Sequence, residues 1–110
     1  MSFDMNKMLK EAQRMQEELA KAQEEAASEV VDASAGGGMV TVRANGAGEV
    51  VSITIDPRAI DPDDPELLAD LVLAAVNEAL RSGRALMESK MSGLIPGGGI
   101  GDLGGLLPGA

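Results

Sequence analysis

The sequence predicts an α+β fold in the order α-β-β-β-α, with a small antiparallel sheet between two long helices. Three stretches of the 110-residue chain carry that prediction. From Met39 to Pro57, Val40, Val42 and Ala44 alternate with Thr41 and Arg43, and Val51, Ile53 and Ile55 alternate with Ser52 and Thr54. A period of two gives each strand one apolar and one polar face. Between the two runs, Asn45-Gly46-Ala47-Gly48 supplies residues that tolerate the positive φ of a hairpin turn. Before the hairpin, Met5, Met8, Ala12, Met15, Leu19, Ala22 and Ala26 follow one another at spacings of 3 and 4, a heptad seam. After it, Pro65 opens a segment that is apolar on nearly every side.

The first helix is expected from about Asp4 to Ala27. Asp4 or Ser2 can cap it, and Met, Leu, Ala, Glu, Lys and Gln are good helix formers. At 1.5 Å per residue it makes a rod of ~36 Å. A rod of that length is long for so small a domain, so it is expected to project as an arm and zip against another helix. Lys7, Lys10, Arg14 and Lys21 fall on the side opposite the seam. Glu11, Glu18 and Glu25 follow three of these at i+4, so weak ion pairs along the helix compete with a cationic surface. Residues 1–16 carry three basic and two acidic side chains, whereas residues 17–29 carry one and five.

Glu29 to Ala33 reads as a short first strand, and Gly36-Gly37-Gly38 as the turn into the next. A phosphate cradle would need a following helix with Lys and Ser or Thr, and here a strand follows. Asp56-Pro57 ends the third strand, because Pro has no N–H for the ladder. In the loop Arg58–Pro65, Asp61, Asp63 and Asp64 lack the Gly and distal Glu of a calcium loop. Asp64, Pro65 and Glu66 instead make a helix start.

The second helix is expected from Pro65 to about Met91. Its apolar first half needs cover on more than one side, and one small sheet covers only one. A homodimer follows, with Leu68, Leu71, Val72, Ala75, Val76 and Ala79 as its expected core. Gly83 is expected to weaken this helix and allow a bend. Residues 1–92 form the expected folded domain, and the Gly-rich 93–110 a disordered tail.

Composition removes several functions. The chain has neither Cys nor His, which excludes thiolate chemistry, most zinc sites and the usual general base. Phe3 is the only aromatic, so base-stacking recognition of single strands lacks its platforms. No apolar run approaches the ~20 residues of a membrane span, and a cytoplasmic protein without cofactor, metal or small-molecule substrate is expected. The formal charge of −9 counts against nucleic acid, since affinity for DNA rests on Lys and Arg at phosphates. Distribution counts for it: residues 81–91 carry three basic side chains and one acidic, and both helix ends far from the sheet are locally positive.

MNKMLKEAQRMQEEL (Met5–Leu19), GMVTVRANGAGEVVSITIDP (Gly38–Pro57) and DPELLADLVLAAVNEAL (Asp64–Leu80) together resemble the bacterial YbaB/EbfC family of nucleoid-associated proteins. That resemblance implies a non-enzymatic homodimer that pairs through its β-sheets and second helices and whose helical arms project like tweezers. It implies binding to double-stranded DNA in the nucleoid with low sequence specificity, and a contribution to nucleoid organisation and gene regulation. By the same likeness Lys7, Lys10, Arg14, Arg81, Arg84 and Lys90 would face phosphate. The alternative expectation is a protein-interaction scaffold whose arms clamp a partner helix.

Overall fold

A computed structural model describes residues 4–94, so the expected tail 93–110 lies outside the described residues from residue 95 onward. Helix α1 spans Met5–Ser28, strands β1, β2 and β3 span Val30–Ala35, Val40–Asn45 and Val50–Ile55, and helix α2 spans Pro65–Ser92. The strands lie in the order β1-β2-β3, and both neighbouring pairs are antiparallel. The chain is drawn out, measuring 77 × 33 × 16 Å along its principal axes.

Each boundary has a local cause. Asp4 caps α1 by accepting from the Lys7 amide at 3.2 Å. The triple glycine forms the β1–β2 turn with φ of 65°, 67° and 92° at Gly36, Gly37 and Gly38. The Asn45 side-chain oxygen accepts from the amides of Ala47 and Glu49 at 3.0 and 3.1 Å, an Asx turn that folds the β2–β3 loop. Asp64 caps α2 by accepting from the Leu67 amide, with Pro65 at the first helical position. Replacing Asp64 by Ala removes that acceptor and is expected to cost about 0.5–2 kcal/mol, measurable as a lower urea midpoint.

The core lies between the sheet and α2. Val40, Val42 and Ala44 of central β2 are fully buried against Ala75 and Ala79 of α2 and Ala33 of β1. Alanine at the helix contact lets the helix backbone sit close to the sheet. Leu68, Leu71, Val72 and Val76 pack around this cluster and are half-buried. The six residues named for a dimer core therefore divide. Ala75 and Ala79 are consumed inside the chain, and the other four keep part of their surface open.

The third strand differs from expectation. Register places Ile55 opposite Val40 and Ile53 opposite Val42, on the core side of the sheet. The alternation predicts burial there, yet Ile53 is 47% and Val51 50% exposed. A helix is ~10 Å across and strands are spaced ~4.8 Å apart, so one helix covers about two strands. Helix α2 lies over β1 and β2 and leaves the inner face of β3 bare. A register shift beside Arg43 and Ala44, which puts Val50 opposite Ala44, adds to this uncovered strip. Ile60, Leu67 and Leu73 are also exposed.

Helix α2 runs unbroken through Gly83. A Cβ at Gly83 would lie 2.5 Å from the Asn45 carbonyl oxygen, and a Cβ at Gly46 would collide with the Ala26 carbonyl. The Gly46 amide donates to that same carbonyl at 3.0 Å. These glycines are needed for close approach: α1, the β2–β3 turn and α2 meet there backbone against backbone. Ala at either position is expected to destabilise by about 1–3 kcal/mol through overpacking, read as a lower urea midpoint with the slope retained.

Candidate nucleic-acid interface

The three-way junction sets the direction of both helices. Leu71 packs on Gly36 at the β1–β2 turn and Gly83 on the β2–β3 turn, so α2 crosses the sheet and leaves it at the end where α1 arrives. The two helices touch beyond the sheet. There Ala22 and Ala26 of α1 are buried and Leu19 is half-buried. Met87 and Met91 of α2 are half-buried as well. Outward from Met15 every residue of α1 is exposed, and this part forms the arm.

On the arm, Lys7, Lys10 and Arg14 occupy neighbouring turns of one side, as i, i+3 and i+7 require. They span about 10 Å along the axis, and all three are exposed. Of the three i,i+4 ion pairs the sequence offers, only Arg14–Glu18 forms, at 3.9 Å between side chains 74% and 52% exposed. An exposed pair at that distance holds the guanidinium weakly. Among the described residues Lys7, Lys10, Lys21 and Arg84 make no ion pair. Lys21 shares the side of Lys7 but sits among Glu17, Glu18, Glu24 and Glu25.

The α2 cations are arranged differently. Arg81 holds Glu78 at 2.6 Å, and the Lys90 ammonium lies 3.2 Å from the Glu29 carboxylate. Lys90 is half-buried where α1 joins the sheet, away from the arm tip. Only Arg84 is exposed and unpaired among the α2 residues named. The six cations thus form a distal row on α1 and a proximal group on α2.

The remaining cations are occupied. Arg43 pairs with Asp32 across the strands at 3.0 Å. Arg58 binds Asp56 at 2.8 Å; its guanidinium, then its amide, hold the Asp56 carboxyl below the usual carboxylate range. That contact is complete above the ordinary carboxylate pKa and is lost only as pH falls through the lowered one. In the acidic loop, the Asp61 carboxylate accepts from the Asp63 amide at 2.9 Å, so these side chains shape backbone turns. Among the described residues no group of three or more His, Cys, Asp or Glu could hold a metal ion. No described helix is long and apolar enough to cross a membrane.

A profile of the YbaB/EbfC DNA-binding family matches residues 1–99. The chain belongs to the YbaB/EbfC DNA-binding family. A nucleoid-associated protein of Thermoanaerobacter pseudethanolicus is 53% identical over 95 residues, 86% of each chain. One from Saccharopolyspora erythraea is 47% identical over 110 residues, covering 96% of this chain and 93% of its own. The crystal structure of uncharacterized protein HP0035 from Helicobacter pylori superposes with a TM-score of 0.62 at 25% identity, covering 76% of this chain and 88% of that one. The α-β-β-β-α order expected from the sequence is therefore the fold of this YbaB/EbfC chain. The resemblance names the β-sheets as a pairing surface, but alternation in the sequence does not show that the inner face of β3 is bare. Its one signal was the Val50-Val51 doublet, which breaks the period of two.

Proposed function

We propose that this YbaB/EbfC chain is a nucleoid-associated protein that binds double-stranded DNA as a homodimer, with little sequence preference. It acts by binding and shaping DNA rather than by catalysing a reaction. The observation that carries the reading is the row of Lys7, Lys10 and Arg14 on the exposed outer part of α1. Such a row can neutralise successive phosphates while the acidic body, set back along the helix, stays clear of the duplex. Phosphate contacts position a protein without reading sequence, which accounts for the low specificity. Arg84 extends the contact inward, and Arg81 and Lys90 contribute less because each must first give up a carboxylate.

Two chains are joined in this reading through the bare inner face of β3. Ile53 pairs with the buried Val42, so a second copy seated on Val51 and Ile53 extends the apolar face of the sheet beside the core. The half-buried Leu68, Leu71, Val72 and Val76 flank it from α2.

Titration of the purified protein with duplex DNA at low and moderate salt tests the DNA reading. Binding at micromolar protein in 50 mM salt, falling steeply as salt rises and alike for unrelated sequences, is expected. No binding at 50 mM salt would reject the reading.

A further inference from the structure

The β2–β3 turn carries a reactive pair that the fold holds still. The chain has three asparagines, Asn6, Asn45 and Asn77, and only Asn45 precedes glycine. An asparagine side-chain carbonyl is open to attack by the backbone nitrogen of the next residue, and glycine, with no Cβ, leaves that path clear. Asn6 and Asn77 stand before the bulkier Lys7 and Glu78 within α1 and α2.

Half of the chemistry is already arranged. The Asn45 side-chain oxygen accepts from the amides of Ala47 and Glu49 at 3.0 and 3.1 Å. Two N–H donors on one carbonyl oxygen draw charge from its carbon and stabilise the oxyanion that attack would create. The other half is withheld. Gly46, which supplies the nucleophilic nitrogen, is buried, and its N–H donates to the Ala26 carbonyl of α1 at 3.0 Å. The Asn45 carbonyl of the same peptide accepts from the Gly48 amide at 3.2 Å and lies against Gly83 of α2. A planar peptide gripped from both helices cannot turn its nitrogen toward the Asn45 side chain.

We propose that Asn45-Gly46 is a deamidation site latched by α1, reactive when α1 lifts off the turn. On release, the Gly46 nitrogen bonds to the Asn45 side-chain carbon, and the Gly46 amide proton leaves with the side-chain nitrogen as ammonia. The resulting five-membered succinimide takes up water at one of its two carbonyls, leaving aspartate or isoaspartate at position 45. Aspartate keeps a side-chain acceptor for the turn. Isoaspartate adds a carbon to the main chain where α1 and α2 meet, so the arm does not re-seat.

The full chain is incubated in mildly alkaline buffer. Its tryptic segment Ala44–Arg58, which holds no other Asn or Gln, is then analysed by mass spectrometry for aspartate and isoaspartate. Conversion in the native chain is expected to be more than about tenfold slower than in the same chain unfolded by urea. Below the unfolding midpoint, the rate should rise with urea more shallowly than global unfolding does, because the opening frees only α1. Ala26→Leu overfills a fully buried position beside Gly46 and pushes the helix away. It should speed conversion several-fold while the cooperative urea transition is kept.

A native chain that converts at the unfolded rate overturns the proposal. So does a native rate that follows the full slope of global unfolding, since α1 would then be no separate latch. A folded Ala26→Leu chain that converts no faster than the parent overturns it too. If that variant does not fold, the urea series on the parent chain decides by itself. None of these readouts involves DNA, so the inference stands or falls apart from the proposed function.

Discussion

Replacing Lys7, Lys10 and Arg14 together by glutamine is expected to weaken duplex binding by at least about a hundredfold at 50 mM salt, equally across sequences. The argument is one of counting. Three cations per arm make six per dimer, and each phosphate contact contributes about 0.9 to the slope of log affinity against log salt. The slope should fall by roughly 5. Glutamine keeps length and helix propensity, and all three positions are exposed, so stability should barely change. Glutamine at Arg81 or Lys90 removes a charge that already has a carboxylate partner and should flatten the slope less. A triple variant with the parental slope would move the interface off the arm.

Placing lysine at both Val51 and Ile53 is expected to split the proposed dimer into folded monomers at micromolar concentration, measured by sedimentation. Both side chains already face solvent in the single chain, so charges there cost the monomer little. In the paired state they would be buried without partners, which costs several kcal/mol per ion. DNA affinity should fall in parallel, because two linked arms bind with an effective concentration that separate arms lack. A double variant that stays dimeric would shift the contact to the outer face of α2, around Leu67 and Leu73.

The elements were legible in the sequence because their signals are local. The Asp4 and Asp64 caps, the 3,4 spacing of α1 and the alternation in β2 each depend on a few neighbouring residues. The cationic row was equally legible, since helical geometry alone aligns Lys7, Lys10 and Arg14. Other features depend on what lies across the fold. Alternation told which side of β3 is apolar, but not that one helix is too narrow to reach it. The Lys90–Glu29 pair joins residues 61 positions apart (90 minus 29) and shows in no local pattern. Gly83 looked like a weak point in α2, because the carbonyl it makes room for belongs to a different element.

The contact of Gly46 with Ala26 acts as a fulcrum. Lys7 lies 19 residues from Ala26, a lever of roughly 28 Å. A tilt of only about 7° at the fulcrum shifts the lysine by one phosphate step of ~3.4 Å. If DNA is held by the arm as proposed, a methyl group added at Gly46 or Gly83 would thus retune the grip by changing the angle of approach. In the proposed dimer the spread of the two arms would be set where the chain has no side chains to spare.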